Sequence, residues 1–392
     1  MATLRERVAQ KKREAMDRAT TVPSSLPAGH SSIGAELELW AVQSLPGRGL
    51  GCIALSDIAI GTRVLAEPPL TVEGPGLPTI ESAVEALNPA DRMHFFALAQ
   101  EVRLYGETKS IAGIIGTNGI PFEVDGEDFG GIFPRASRFN HSCDANAIYL
   151  YNTALGLLTV HAAKTISAGD EITFNYLPPF TESLPLGGAI SARGLRQQRL
   201  RSAFGFECSC AWCSLTGEDL ARSEERIRAI GDDASLVATW TQRLQSSKSA
   251  QPAIGMVGDG AEALLQHLET RYRLAQEEYP EGHFCGVDRM LRLHVELCDA
   301  AASRHHRVSH ESNPFAEAAR MWALVARDAT VEIAGRDSPA HRAWTMVLEQ
   351  DCWRRSGPDS PPSFALVWTT ACKDGAPRQA WMAPSSGGDD PR

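Results

Sequence analysis

Three cysteines within six residues carry the plainest chemistry in this chain. The segment FECSCAWC supplies Cys208, Cys210 and Cys213 in C-x-C-x-x-C spacing. A tight turn can bring three such sulfurs onto one small sphere, and zinc takes four ligands in a tetrahedron at about 2.3 Å for sulfur. At this level the fourth ligand is open: Cys143, Cys52 or a histidine would each serve. A cysteine-bearing turn without metal is the plain alternative. Cys285, Cys298, Cys352 and Cys372 lie in or beyond a helical region and read as small core residues.

A second stretch, RFNHSCDANA at 138–147, sets two asparagines, a histidine and a cysteine in an otherwise apolar neighbourhood. Such side chains are costly to bury without partners. Either this is a solvated loop or its polar atoms are committed. If Cys143 joins the trio at 208–213, the two stretches become one structure, and Asn140 and His141 line a pocket whose wall the metal closes.

The elements that must position these residues follow from pattern and composition. At 392 residues the chain is too long for one ordinary core, and two or three domains are expected. With 43% hydrophobic and 22% charged residues it has the composition of a globular protein, and no apolar run reaches a membrane span. The opening MATLRERVAQKKREAMDR has no apolar core and does not read as a secretory signal, so the nucleus or cytoplasm is expected. Thiols stay reduced there, which favours metal binding, packing or chemistry over disulfides for the nine cysteines. The basic KKR at 11–13 is a weak nuclear signal and reads first as a solvated helix face. A formal charge of −10 argues against holding nucleic acid by phosphate neutralisation and suits a basic protein partner.

Residues 3–19 have helical spacing, and TTVPSSLPAGHSS follows as a linker. From about residue 36, short Val-, Leu- and Ile-rich runs broken by glycine turns read as strands. Residues 79–115 read as helical, IPFEVDGEDFGG as an acidic loop, and NAIYLY, GLLTVHAAKTI and ITFNYL as further strands. A basic helical stretch, SARGLRQQRLRSAFGF, leads into the cysteines, and from about 215 apolar residues recur at i, i+3, i+4 in a run of helices. The expected division is an N-terminal helix and linker at 1–35, a β-rich domain at 36–180, a zinc segment at 181–215, a helical domain at 216–380 and a disordered tail at 381–392.

These stretches together resemble a known family. RFNHSCDAN is similar to the asparagine–histidine motif of SET-domain protein lysine methyltransferases, GDEITFNY to the motif ending in their active-site tyrosine, and FECSCAWC to their post-SET segment. GRGLGCIALSDIAIGTRVLAEPPL resembles their N-terminal segment, and the four blocks stand in the family's order over roughly residues 36–215. The arrangement is nearest the SET-and-MYND subfamily and its fungal-type relatives, with the cysteine- and histidine-rich MYND insertion absent. The implied fold is α+β: small SET-domain sheets with a threaded C-terminal segment and inserted helices, a post-SET zinc site, then an all-α C-terminal domain.

The resemblance implies roles residue by residue. Arg48, Gly49 and Leu50 would contact S-adenosylmethionine, and Ser137, Asn140 and His141 would hold its amino-acid and adenine ends. Tyr176 would be the active-site hydroxyl, itself beside the cofactor. Phe204 and Phe206 would pack on the adenine, and Cys143, Cys208, Cys210 and Cys213 would bind structural zinc. Three positions depart from the family pattern: Ala145 replaces a usual proline, Phe204 stands where close relatives often carry tyrosine, and Cys52 follows GRGLG. The Phe204 departure puts methylation number and rate in question.

The implied reaction is in-line methyl transfer from a sulfonium to a lysine amine, which requires alignment rather than a covalent intermediate. The lysine must react neutral although its free pKa is about 10.4, and a water-poor channel near a sulfonium disfavours the ammonium. The expected partner is a lysine-bearing protein, such as a histone tail, without nucleic-acid or membrane binding, and the chain is expected to be a monomer. Glu123, Asp125, Glu127 and Asp128 read first as a solvated acidic loop, with steering of a basic substrate as the alternative. Two other functions compete: a catalytically silent zinc-stabilised scaffold, and a SET scaffold turned to a small-molecule substrate.

Overall fold

The computed structural model describes residues 39–124, 127–177, 192–231, 233–246, 256–284, 286–305, 313–353 and 362–374. The helix expected at 3–19, the linker, the PPFTESLPLGG segment and the tail lie outside them, as does Asp125.

Among the described residues, the glycine-broken apolar runs form three small sheets. Strands β1 (Trp40–Leu45) and β2 (Gly49–Ala54) make an antiparallel hairpin, with Leu45 opposite Gly49. Its turn runs through Gly47 at φ +72° and Gly49 at φ +69°, a region that favours glycine. Strands β3 (Arg63–Glu67), β8 (Ala147–Asn152) and β9 (Leu157–Ala162) form the second sheet in the order β3-β9-β8. The third contains β4 (Thr71–Glu73), β5 (Gly119–Val124) and β6 (Glu127–Ile132), in the order β4-β6-β5.

The last two strands correct the loop expected at IPFEVDGEDFGG. Ile120, Phe122 and Val124 alternate onto a buried face with Phe129 and Ile132, while Glu123, Glu127 and Asp128 point to solvent. Pro121 and the charges mask this period of two, but Asp-Gly between alternating residues is a strong hairpin signal. The helical stretch at 79–115 divides into α1 (Ile80–Glu85), α2 (Pro89–Phe96), α3 (Val102–Tyr105) and α4 (Ile111–Asn118). Thr79, Asn88, Glu101 and Ser110 each accept a hydrogen bond from a first-turn amide, and Pro89 opens α2 where no helical donor is needed.

Two strands bring the polar stretch and the tyrosine together. The short β7 (Asn140–His141) pairs in parallel with β10 (Glu171–Phe174), placing Thr173 opposite Asn140 and Phe174 opposite His141. On its other side β10 pairs antiparallel with β2, so the order is β1-β2-β10-β7. A 3-10 turn at Ala136–Arg138 leads into β7; Glu67 fixes it by accepting from the amides of Arg135 and Ala136, each at 2.8 Å.

Helix α5 (Arg193–Phe204) precedes the cysteines. Beyond them come α6 (Gly217–Gly231), α7 (Asp233–Ser246), α8 (Met256–Glu278), α9 (Val287–His305), α10 (Pro314–Ala334), α11 (Pro339–Glu349) and α12 (Phe364–Asp374). One buried cluster runs from Cys143 and Ile148 through Trp212 and Tyr279 to Trp322 and Trp344, so the helices share a core with the cysteine cluster. Cys298 and Cys352 are fully buried in it, as expected of small core residues. Arg63 of β3 pairs with Asp337 at 2.6 Å, tying the second sheet to the loop after α10. Among the described residues, no helix is long and apolar enough to cross a membrane.

Candidate active site and metal centre

Cys143, Cys208, Cys210 and Cys213 converge, with their four sulfurs all within 4.8 Å of one another. Four sulfurs around one zinc at about 2.3 Å would stand about 3.8 Å apart by tetrahedral geometry. Cys213 Sγ and Cys143 Sγ are 3.6 Å apart, so the donor set fits such an ion. Of the three candidates for a fourth ligand, Cys143 is the one that joins the trio. Cys52 lies in the interior of β2, where burial and then Glu171 push its thiol up to about 12.

Packed thiols without a cation cannot all ionise together. Their mutual hydrogen bonds lift Cys143 above the ordinary thiol range and hold Cys208 and Cys210 below it. The surroundings supply compensating donors. The Cys210 amide points at Cys208 Sγ from 3.5 Å, and Arg196 Nη2 lies 3.9 Å from Cys213 Sγ. Arg196 is 1% exposed, and its guanidinium stacks over Trp212 at 4.8 Å. Gln197, one residue on along α5, accepts from the Cys208 amide at 2.8 Å and donates to the Cys208 carbonyl at 2.6 Å. Helix α5 thus holds the cysteine turn by both its backbone and its sulfur charge.

Tyr176 follows β10 and sits among aromatic rings. Its ring centroid lies 5.0 Å from Phe204, 5.3 Å from His141, 5.6 Å from Phe174 and 6.4 Å from Phe206. Phe204 ends α5 and Phe206 follows it, separated by Gly205 in the left-handed region at φ +70°. A Cβ there would also stand 2.7 Å from Glu101 Cγ, so glycine is required for both reasons. Tyr176, Phe204 and Phe206 are half-buried. The Tyr176 hydroxyl donates to the Phe139 carbonyl at 2.8 Å. Burial pushes the phenol above its ordinary range, so it stays protonated at neutral pH and its oxygen remains an acceptor.

Beside these rings lies a polar network. Asn140 Nδ2 donates to Glu171 Oε1 at 2.7 Å and to the Leu50 carbonyl at 3.1 Å. Arg48 Nε meets Glu171 Oε2 at 3.2 Å, and its Nη2 donates to the His141 carbonyl at 3.1 Å. The glycine turn and the NHSC segment are therefore clasped through one carboxylate. Gly51 makes the clasp possible, since a Cβ there would stand 2.7 Å from Glu171 Oε1 and 2.9 Å from Asn140 Nδ2. Gly49 and Leu50 lie on the exposed rim, Leu50 at 47% exposure. Ser137 is in the 3-10 turn, with its hydroxyl donating to the Phe133 carbonyl at 2.8 Å.

The residues singled out from sequence thus gather in two adjoining groups, one around Tyr176 and the clasp, one around the four sulfurs. Glu171, Arg196, Gln197 and Asn146 carry structural work that sequence reasoning did not assign. Asn146 accepts from the Thr173 amide at 2.8 Å and donates to the Glu171 carbonyl at 2.9 Å, aligning β10. Glu171 stands inside the GDEITFNY motif; a carboxylate opening a buried strand was the available signal. Arg196 is one of several arginines in a basic stretch, and its spacing gave no sign of burial.

Residues 49–177 match the family model described as SET domain. The histone-lysine N-methyltransferase set5 of Schizosaccharomyces pombe is 31% identical over 198 residues, which is 50% of this chain and 55% of that protein. The human protein-lysine N-methyltransferase SMYD4 is 29% identical over 154 residues, 39% of this chain and 18% of that protein. The chain therefore spans about half the length of the first of these relatives and under a fifth of the second. A solved structure titled as the SET domain of LSMT bound to lysine and AdoHcy gives a TM-score of 0.28 at 10% identity, over 90% of this chain and 92% of that one.

Proposed function

Because the chain carries a SET domain at 49–177, related to those of the Set5 and SMYD lysine methyltransferases, we propose that it is an S-adenosylmethionine-dependent protein-lysine N-methyltransferase. The observation that carries this reading is the Tyr176 phenol, hydrogen-bonded to the Phe139 carbonyl and ringed by Phe204, Phe206 and His141, beside the Arg48–Glu171–Asn140 clasp.

In the proposed reaction the cofactor supplies a methyl on a sulfonium. Transfer to the neutral lysine amine would leave a thioether and a methylammonium, whose extra proton would pass to solvent when the product leaves the channel. Tyr176 contributes orientation rather than base chemistry. Its hydrogen is spent on Phe139, so its oxygen accepts from the substrate amine and aims the nitrogen lone pair. The aromatic faces keep water from the amine and disfavour its ammonium form. The clasp keeps Arg48, Gly49 and Leu50 against Asn140 and His141, where the cofactor's polar ends would bind. Phe204 and Phe206 offer flat faces to the adenine.

Cys143, Cys208, Cys210 and Cys213 would hold structural zinc, closing the 206–213 segment over the site. We assign residues 36–180 to the SET domain, 181–215 to the zinc segment and 216–380 to a helical domain walling the substrate cleft. A lysine-bearing protein, met in the nucleus or cytoplasm, would be the partner. The exposed Glu123, Glu127 and Asp128 would favour a basic one.

The test is transfer of labelled methyl from S-adenosylmethionine to histones and cell extract, beside Tyr176→Phe. Transfer that collapses in the variant is expected; robust transfer that survives the change would break the assignment.

A further inference from the structure

The His141 ring bridges the two groups of residues just described, and the proposed chemistry gives its two nitrogens no role. It is 3% exposed. Nδ1 lies 3.0 Å from the Tyr176 amide nitrogen, and Nε2 lies 3.3 Å from Cys143 Sγ. The Tyr176 amide can only donate, so Nδ1 must be the bare, accepting nitrogen. The ring's hydrogen is then on Nε2, pointing at the Cys143 sulfur. One end of the imidazole thus reads the sulfur and the other holds the backbone of the tyrosine, with β7 and β10 paired alongside.

We propose that His141 is a positioning residue that transmits metal occupancy to Tyr176. With the metal bound, Cys143 is a thiolate, a strong acceptor that fixes the Nε2–H and with it the ring plane. The fixed ring presents Nδ1 to the Tyr176 amide and seats the phenol beside Phe139. Without the metal, the sulfurs repack, the Nε2–H loses its fixed partner and the ring is free to turn, releasing the Tyr176 amide. The inference rests on the methyltransferase reading only for what Tyr176 does; the coupling itself belongs to this chain's own atoms.

Two amides separate the ends of the ring. In His141→Asn the amide oxygen approximates Nδ1 and nothing reaches Cys143. In His141→Gln the amide nitrogen approximates Nε2 and the Nδ1 acceptor is gone. The full chain, loaded with zinc, is followed by zinc release to a chromophoric chelator and by hydrogen exchange of the peptide containing the Tyr176 amide. His141→Asn should speed zinc release by about 10–100-fold, the usual cost of removing a metal ligand's outer partner, while the amide stays protected. His141→Gln should hold zinc near the wild-type rate yet speed Tyr176 exchange by about tenfold, the worth of one hydrogen bond. Stripping zinc from the wild type should speed that same exchange by about tenfold.

Tyr176 exchange indifferent to zinc in the wild type would overturn the proposal, and that measurement needs no variant to fold. So would identical behaviour of the two variants in both readouts. A wild type that transfers no methyl would instead sink the methyltransferase reading, leaving zinc release and exchange to decide the coupling.

Discussion

Gly51→Ala adds one methyl group at the most crowded point of the clasp. The new Cβ would stand 2.4 Å from Leu45 Cδ1, 2.7 Å from Glu171 Oε1 and 2.9 Å from Asn140 Nδ2. Leu45 Cδ1 is the far end of a flexible side chain and can swing aside. Glu171 and Asn140 cannot, because each holds the other at 2.7 Å and Glu171 also holds Arg48. Hydrogen bonds to charged groups are worth about 1.5–3 kcal/mol. The Glu171 side chain is 20% exposed, so screening brings the loss to about 1–2 kcal/mol. Taking that loss at the low end of its range, overpacking adds about 1 kcal/mol more, for about 2 kcal/mol altogether. Calorimetric titration with S-adenosylhomocysteine should then show affinity weakened by about 30-fold. The melting temperature should fall by about 3–6 °C. Leu45→Ala in the same chain should not restore either value. Restoration, or affinity within about twofold of wild type, would refute the reasoning.

Tyr176→Phe removes the bond to Phe139 and should cost only about 1 kcal/mol in urea unfolding. Methyl transfer should nonetheless fall by about a hundredfold through kcat, because the amine loses its aim; a change confined to KM would contradict that role. Chelator treatment should release the 206–213 segment, seen as new protease sensitivity there, and equal resistance with and without chelator would argue for a metal-free turn. Arg196→Met should speed zinc release by about tenfold, since one buried cation beside four sulfurs is lost; an unchanged rate would reduce Arg196 to packing on Trp212. His161 gives a pH signature. It is 1% exposed, and burial, then Arg63, lower it to about 4 from 6.5. Between those values the unfolded chain binds the extra proton, so stability should rise with pH across the window. The cost is absent above it and reaches about 3 kcal/mol near its lower end. His161→Gln should flatten that limb of urea-unfolding stability, and an identical slope would remove His161 from the account.

Much of the site was readable along the chain because its chemistry is written in short, local patterns. C-x-C-x-x-C crowds three sulfurs by spacing alone. The polar run at 138–147 announces committed atoms because asparagine, histidine and cysteine are unusual company for apolar neighbours. Glycine turns at 47 and 49 mark a hairpin whose φ values only glycine adopts cheaply. Periods of 2 and 3.6 separated the strand-rich part from the helices, except where Pro121 and four acidic residues hid a hairpin.

Long-range pairing decided the rest, since no spacing rule reaches across tens of residues. Cys143 rather than Cys52 joins the trio because strand β2 buries one thiol in a sheet while the loop after β7 presents the other. Glu171 became the centre of the clasp only when β10 was inserted between β2 and β7, bringing Arg48 and Asn140 to one carboxylate. The ring of His141 gained two partners for the same reason: a strand pairing fixed where its nitrogens point. Sequence settles which groups are available and what they cost to bury, while the direction of each hydrogen bond depends on backbone placement that only the assembled sheets determine.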